Sequence, residues 1–317
     1  MQAIDRALVL LNLVLLLVEY LVFHLPATVL WPWFATIVLF ALGLIFIRSE
    51  VRDARGLDKI LPFGRVFYAV PLATFSADHF VFRGAISQIV PSWMPWHMFW
   101  TIFVGCSLLA ASLSITTKKV VRLSSTLLGI MFTLFVVMMH IPGVVSDPHD
   151  RIAWAIAGRD LSFAGGAFAI AAAQITRRKS GESPLATLAR YFIAVPAVIF
   201  GFEHFRHPDC VPAVPLQRIT PDYVHARFFW AYLTGVVLIA AGGALLFNRK
   251  ARLAAVVLGV TVFLVVLFVY VPILLATPAS IELGLNYIMD TLMYAGAILV
   301  LAEALPRDPA PASAINP

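Results

Sequence analysis

The chain has 317 residues, of which 61% are hydrophobic and only 13% are charged, and its mean hydropathy is +0.91. A soluble globular domain has about 45–50% apolar and about 25% charged residues, so this composition excludes a water-soluble domain. The net charge of +6 is typical of basic loops that flank membrane spans, and we expect no nucleic-acid partner.

Apolar stretches of the length that a bilayer-crossing helix needs, about 20 residues, recur along the chain. They fall at 7–24, 29–47, 62–82, 97–116, 121–141, 159–177, 187–206, 225–247, 251–272 and 286–304. Because these stretches lack the strict alternation of barrel strands, the sequence predicts an all-α, polytopic membrane protein with about ten transmembrane helices. No small-residue cleavage site follows the first stretch, so we expect it to remain as a span.

The basic residues divide unevenly between the two ends of the predicted helices. Only six of the 23 Lys and Arg residues lie at one end, namely Arg83, Arg151, Arg159, Arg206, Arg218 and Arg227. The positive-inside rule therefore predicts that this end faces outward and that both termini lie in the cytoplasm. The eight histidines lie at the same outer end as these six residues: His24, His79, His97, His140, His149, His204, His207 and His225.

Two parts of the chain repeat each other, first with an offset of 125 positions and, after a longer loop, with an offset of 130. The matched pairs include Arg65/Arg190, Pro71/Pro196, Asp78/Glu203, His79/His204, Trp100/Trp230, Arg122/Arg252, Asp160/Asp290 and Gly166/Gly296. This pattern predicts a duplication of four helices, in which both copies share one orientation. We expect a transmembrane hairpin at 1–59, four-helix units at 60–179 and 180–306, and a disordered tail at 307–317. Whether the hairpin is a partial copy stays open.

Several sequence blocks carry a family resemblance. The blocks GRVFYAVPLATFSADHF (64–80), VPSWMPWHMFW (90–100), MMHIPG (138–143) and RDLSFAGGA (159–167) resemble the DoxX-like family of four-helix bacterial membrane proteins, and ARYFIAVPAVIFGFEHF (189–205) and MDTLMYAGA (289–297) match less fully. The resemblance implies two tandem four-helix bundles over about 60–304. The family name comes from a subunit of an archaeal thiosulfate:quinone oxidoreductase, and other members are linked to membrane redox or thiol homeostasis. No positions for thiosulfate chemistry are matched.

Ionisable and aromatic residues gather at the predicted outer end of each copy. They are Asp78, His79, Trp100, His140 and Asp160 in the first copy and Glu203, His204, Trp230, Tyr270 and Asp290 in the second. Ionisable groups in a membrane are costly unless paired or wetted, which favours one polar chamber per bundle. Simpler roles stay open: the acid–histidine pairs can lie at headgroup level, the Trp residues can be interfacial anchors, and Asp160 and Asp290 can stabilise the first turns of their helices.

The residues leave several functions open. The histidines can bind copper, zinc or haem iron, relay protons to a quinone, or have no task. Cys106 and Cys210 predict no disulfide and no thiolate metal site. Our main expectation is a membrane subunit of a redox-linked system that binds a quinone or similar lipophilic molecule near the periplasmic side. In this hypothesis His79 and His204 are proton partners, oriented by Asp160 and Asp290.

Two other function classes fit the same sequence. One is a transporter for a small solute or a metal ion, because two fused bundles of one kind can rock against each other. The other is a non-catalytic membrane scaffold for a soluble or membrane-bound redox partner. The sequence does not decide whether the protein is an enzyme, and it contains no nucleotide-binding, P-loop or haem-attachment motif.

Overall fold

A computed structural model of the chain describes residues 25–176 and 182–307. The predicted first span at 7–24 and nearly all of the predicted tail lie outside these residues. Within them the chain is helical and contains no β-strand, and one isolated bridge joins Cys210 to Ile219. The prediction of an all-α protein is therefore confirmed.

Nine long helices make up most of the described chain. They are α1 (Ala27–Asp53), α2 (Leu61–Val81), α3 (His97–Thr117), α4 (Val121–Ser146), α5 (Arg151–Thr176), α6 (Pro184–Arg206), α7 (Arg227–Leu246), α8 (Ala251–Ala276) and α9 (Tyr287–Ala304). Shorter helical pieces are Gly56–Lys59 and Arg83–Ile86, and wider π-helical turns occur at Val136–His140 in α4, at Val266–Tyr270 in α8 and at Ile281–Asn286 before α9. All of the long helices except α5 are apolar enough over their length to cross a membrane.

The outer surface of the helices is apolar, as expected for a protein that faces lipid. Large hydrophobic side chains point outward on most of the outer helices, among them Phe34, Ile45, Phe103, Leu127, Phe202, Val236 and Phe268. Such an area of exposed apolar surface would be unstable in water, whereas a bilayer covers it. The chain is accordingly a multi-pass membrane protein.

Helices α2 to α9 form a closed ring in which each helix packs against the next and α9 packs back against α2. The ring is pinched at its middle, where α5 and α9 meet. We refer to residues 61–176 as the first half and to residues 184–304 as the second half. The halves are interlocked, because α5 of the first half packs on α6 and α9 of the second half packs on α2. Helix α1 lies outside the ring against α2 and α3.

The two halves share details of their backbone. The π-helical turns of α4 and α8 lie 130 positions apart and each follows 15 residues of α-helix. Left-handed residues occur at matching places as well, at Trp96 and Ala226, Lys118 and Asn248, and Val120 and Lys250. Helices α3 and α7 therefore begin with the same backbone conformation, and the turns that lead into α4 and α8 have the same conformation as well.

Glycines allow the closest helix contacts at the centre of the ring. A Cβ atom at Gly296 of α9 would lie 2.5 Å from the backbone nitrogen of Tyr68 on α2 and 2.9 Å from the carbonyl oxygen of Gly64. At Gly166 of α5, a Cβ atom would lie 2.6 Å from the Cβ of Ala297 on α9. Small residues of this kind let membrane helices approach each other closely.

Two helices begin earlier than the hydropathy pattern predicts. Helix α5 starts at Arg151 rather than at 159, and the helical chain that leads into α9 starts at Ile281 rather than at 286. Arg159 and Asp160 interrupt the apolar pattern, and the structure tolerates them because they are paired inside the protein. Arg159, which the sequence placed at the outer end of its span, therefore lies inside a helix that begins eight residues earlier.

The two ends of the ring differ in charge. The basic end carries the α3–α4 and α7–α8 turns, and the histidine end carries the loops 82–96, 147–150 and 207–226. At the basic end Arg65 is buried and binds Glu50 of α1, with Glu303 3.5 Å from its Nε. Its counterpart Arg190 is also buried and binds Glu182 at 2.9 Å. Both arginines are thus held by carboxylates.

Candidate functional site

A chain of charged side chains crosses the junction between the two halves. His140 Nε2 lies 2.8 Å from Asp160 Oδ2, and Arg159 Nε donates to Asp160 Oδ1 at 3.0 Å. The Nη1 group of Arg159 donates to Asp290 Oδ2 of α9, also at 3.0 Å. One guanidinium therefore joins the two aspartates that the repeat matches to each other.

This chain of side chains lies well inside the helices. Asp160 is in the third turn of α5, about 14 Å along the axis from Arg151 at about 1.5 Å per residue. Asp290 follows the six-residue π-helical turn that opens at Ile281. A first-turn capping role is therefore excluded for Asp160, and the amides that precede Asp290 already belong to a continuous helix.

A third carboxylate joins from α2. Asp78 is buried and interacts with Asn286 and with Asp290. Its Oδ1 atom and the Oδ1 atom of Asn286 are buried and lack a hydrogen-bond partner within 25–176 and 182–307. We call the group Asp78, His140, Arg159, Asp160, Asn286 and Asp290 the Arg159 cluster.

The Arg159 cluster contains more acid than base. In the described part of the chain Arg159 is the one Lys or Arg side chain that pairs with any of these carboxylates, and it pairs with Asp160 and Asp290. With all carboxylates ionised and His140 neutral, the cluster would carry an excess of two negative charges. An uncompensated charge inside a membrane protein is costly. The excess of carboxylates therefore favours the uptake of positive charge by the cluster.

Access to the Arg159 cluster is easiest from His140. The side chains of Asp160 and Asp290 are 9% and 11% exposed, whereas those of His140 and Arg159 are 17% and 21% exposed. His140 also closes the π-helical turn of α4, a local distortion that recurs at functional sites. A molecule arriving from outside the ring would meet the imidazole of His140 and the guanidinium of Arg159 first.

The two histidines that the sequence favoured as proton partners do not contact the aspartates. His79 Nδ1 donates to the carbonyl of Phe75 in its own helix at 2.7 Å. His204 is buried, with Nδ1 donating to the carbonyl of Phe200 at 2.5 Å and Nε2 accepting the amide of Ala213 at 2.8 Å. The expected pairing of these histidines with Asp160 and Asp290 was wrong, because His140 occupies Asp160 and Arg159 joins the two aspartates.

His204 instead helps to hold the 207–226 loop against the helices. Tyr270 donates its hydroxyl to Pro212 O at 2.8 Å, and Arg151 donates to Pro215 O at 2.6 Å. Apolar side chains of the loop are buried beneath it: Val211, Ala213, Val214 and Leu216. The loop therefore seals the histidine end of the second half, and His204 and Tyr270 act as its anchors.

Glu203 lies at the rim of the same loop. Its carboxylate is 3.9 Å from Arg151, 3.8 Å from Arg206 and 3.8 Å from His207. It thus takes part in a loose ion-pair group at the histidine end, whereas its counterpart Asp78 is drawn into the Arg159 cluster.

The two candidate tryptophans lie in different surroundings. Trp100 donates its indole N–H to Pro95 O at 3.0 Å, next to the exposed Trp96, as interfacial tryptophans do. Trp230 stacks on Phe268 with ring centroids 5.2 Å apart and nearly parallel planes. Neither indole has a contact with the Arg159 cluster among the hydrogen bonds and ring contacts of the described residues.

Neither cysteine forms a disulfide. Cys106 is exposed and Cys210 is partly buried, and both are free thiols. Burial raises the pKa of the Cys210 thiol in the 207–226 loop, so that it stays protonated at neutral pH. In the two described stretches no three His, Cys, Asp or Glu side chains converge to hold a metal ion.

Sequence reasoning missed Arg159, Asn286 and the anchoring role of Arg151. The available signal was the Arg159–Asp160 pair inside the RDLSFAGGA block, since two adjacent charges within an apolar repeat have to find partners. Comparison with known proteins adds no assignment, as no protein-family model, no curated protein and no solved structure matches this chain.

Proposed function

We propose that this protein is a membrane subunit of a redox-linked system in which the Arg159 cluster exchanges protons with a quinone or a similar lipophilic hydrogen carrier. The carrier binds at the histidine end beside His140. Its reduction takes two electrons from a soluble or membrane-bound redox partner and two protons, which pass through His140. The observation that carries the proposal is the excess of carboxylates in a paired, partly accessible cluster.

The chemistry of the exposed groups supports a carbonyl-bearing ligand. Arg159 uses Nε and Nη1 for the two aspartates, so its Nη2 group is available to donate to a carbonyl oxygen. His140, hydrogen-bonded to Asp160, is positioned to exchange a proton with a bound ligand. This assigns to His140 the role that the sequence had given to His79 and His204.

The architecture and location belong to the same proposal. Tandem DoxX-like units are supported by the backbone features that recur 130 positions apart. Two further points rest on the sequence, namely ten spans including 7–24 and a location in a bacterial inner membrane with cytoplasmic termini. The distribution of Lys and Arg supports an even number of spans with cytoplasmic termini, and the resemblance to DoxX-like bacterial membrane proteins supports the inner membrane.

Quinone binding to the purified chain in lipid nanodiscs tests the proposal. A short-chain ubiquinone and a short-chain menaquinone are titrated, and binding is followed by quenching of tryptophan fluorescence. We expect saturable binding of at least one quinone by the wild type. H140Q and D160N should bind it at least about tenfold more weakly. Each variant removes the hydrogen bond between His140 and Asp160 that holds the imidazole in place for the ligand, and a hydrogen bond to a charged group contributes about 1.5–3 kcal/mol.

The matched control is H149Q, which changes an exposed histidine in the 147–150 loop. It should bind like the wild type. Absence of saturable binding by the wild type, or equal binding by H140Q, D160N and H149Q, would contradict the proposal.

A second candidate function is a proton-coupled transporter of a small solute. The observation that favours it is the position of the Arg159 cluster at the contact of α5 and α9, where the two halves meet. Coupling sites of transporters built from repeats lie at such junctions. In this case the two halves would move against each other when Arg159 changes its partner.

Proteoliposomes distinguish the two candidates. A pH-sensitive dye is enclosed, small solutes are added outside, and proton movement is recorded for the wild type and for D290N. Solute-dependent proton movement that D290N abolishes would support transport. Quinone binding without any such movement would support the redox-linked subunit.

A further inference from the structure

Two cavities occupy matching places at the basic end. One, of about 500 Å³, lies where α8 begins and α9 ends, and its lining includes Asp58, Arg252, Glu303 and Arg307. The other, of about 630 Å³, lies where α4 begins and α5 ends, and it is lined by Lys118, Val120, Val121, Arg122, Leu123, Thr126 and Gln174. Arg252 and Arg122 are counterparts in the repeat, so the cavities can be compared directly.

The α8–α9 cavity supplies its own counter-ions. Arg252 binds Asp58 Oδ1 at 2.6 Å and the carbonyl of Ala302 at 3.1 Å. Arg307 binds the other oxygen of Asp58 at 3.1 Å. The basic groups of this cavity are therefore balanced by acids that belong to the chain.

The α4–α5 cavity contains basic groups but no acidic lining residue. Arg122 is exposed, and its side chain has no hydrogen bond or ion pair within the described ranges. Lys118 binds Glu50 and donates to Phe46 O at 2.7 Å, so the positive charge without a counter-ion among the described residues is that of Arg122. The cavity thus keeps a positive charge that its counterpart in the second half does not have.

The rim of the α4–α5 cavity is apolar and lies at the end of two spans. Val120 and Leu123 are 69% and 59% exposed, an unusual state for such residues unless lipid covers them. Helix α4 also begins without a side-chain cap, so its first amide groups are left for an external acceptor. A basic cavity bordered by apolar surface matches a molecule with an anionic head and acyl chains.

We propose that the α4–α5 cavity binds the phosphate headgroup of an anionic membrane phospholipid. Arg122 and Lys118 contact the phosphate, Gln174 donates a hydrogen bond to the headgroup, and the acyl chains lie along Val120 and Leu123. The site is separate from the Arg159 cluster at the opposite end. It holds one lipid per chain, because Asp58 balances the charge in the matching cavity.

Native mass spectrometry and thermal unfolding of the full chain in neutral detergent test this site. Phosphatidylglycerol, phosphatidylcholine and inorganic phosphate are added separately. We expect one tightly retained phosphatidylglycerol per chain, together with a higher melting temperature, and no comparable effect of phosphatidylcholine or inorganic phosphate. R122Q should weaken retention about fivefold, and K118Q/R122Q should weaken it by more than tenfold.

The matched control is K119Q, which removes the same charge from the same turn at an exposed residue that does not line the cavity. It should retain the lipid like the wild type. Because the Arg122 side chain has no partner among residues 25–176 and 182–307, R122Q keeps the test valid if K118Q/R122Q fails to fold. Equal retention by R122Q and K119Q would overturn the proposal. So would equal retention of the two lipids, or an effect of inorganic phosphate as large as that of phosphatidylglycerol.

Discussion

The histidine ends of the two halves have similar helices but different chemistry. In the second half, His204 accepts a hydrogen bond from the amide of Ala213, and Tyr270 donates one to Pro212 O. Both partners belong to the 207–226 loop, which covers these two side chains. In the first half, the shorter 82–96 loop stays mostly exposed, and His140 bonds Asp160 instead. One helical scaffold thus has a sealed end and an end with accessible polar groups. The choice between His140 and Tyr270 at one position contributes much of that difference.

The basic ends show the same contrast. Arg252 of the second half is paired with Asp58, whereas Arg122 of the first half is exposed. At these matched positions the arginine of the second half has a carboxylate partner from the chain, and the arginine of the first half faces outward. We therefore expect ligand contacts to concentrate in the first half.

The largest effect is expected when Arg159 is replaced by Met, the residue that the second half has at the matching position, 289. R159M leaves Asp160 and Asp290 close together without their counter-charge. Breaking a buried ion pair by removing one partner costs about 3–5 kcal/mol, so we expect a large loss of stability in thermal unfolding of the detergent-solubilised protein.

The internal control for R159M adds the substitution D290N to it. The double variant R159M/D290N should recover part of the lost stability, because it removes one of the two unpaired charges. An R159M protein that melts at the wild-type temperature would show that the Arg159 cluster does not hold the halves together.

A smaller effect is expected where the halves touch most closely. G296A would place a Cβ atom 2.5 Å from the Tyr68 backbone, which a side-chain rotation cannot relieve. Overpacking of this kind costs about 1–3 kcal/mol and should lower the melting temperature. G243A, on α7 where a Cβ meets no atom within 4 Å, should unfold like the wild type or slightly later. Similar melting of G296A and G243A would argue against the close α2–α9 contact.

Removal of the Tyr270 hydroxyl should loosen the 207–226 loop that covers the second half. Y270F removes the donor to Pro212 O and leaves a buried carbonyl unsatisfied, at a cost of about 1–3 kcal/mol. Hydrogen exchange should become faster at residues 211–216 and stay unchanged in α2. Y232F, which changes an exposed tyrosine of α7, serves as the control. Unchanged exchange in Y270F would mean that the loop is held by its other contacts alone.

The smallest effects concern the matched acids Asp78 and Glu203, and their signs should differ. D78N reduces the excess of negative charge in the Arg159 cluster, so we expect unchanged or slightly higher stability. E203Q removes ion pairs of 3.8–3.9 Å at the rim and should lower stability by less than about 1 kcal/mol. Thermal unfolding at pH 7 measures both. A clear loss in D78N would indicate that Asp78 is ionised and paired.

Hydropathy predicted the ends of helices that face lipid well. It predicted the ends of helices poorly where charged residues pair inside the protein. The predicted 97–116 span differs from helix α3 by one residue at its end, because nearly every residue of α3 is apolar or small. The predicted start of α5 at 159 was eight residues late, because Arg151 and Arg159 find their partners only in the folded chain. The predicted site held the right residue types, but His79 and His204 were chosen where His140 and Arg159 make the contacts.

The sequence by itself determined the membrane environment, the all-α class and most helix positions, because each depends on the composition of one segment and on its transfer into lipid. The tertiary structure alone decided which charges meet. Asp160, Asp290 and Asp78 are far apart in the chain and come together because α5, α9 and α2 pack at the centre of the ring. It also decided that one end is sealed and the other is accessible, since the burial of the 207–226 loop depends on anchors from three helices.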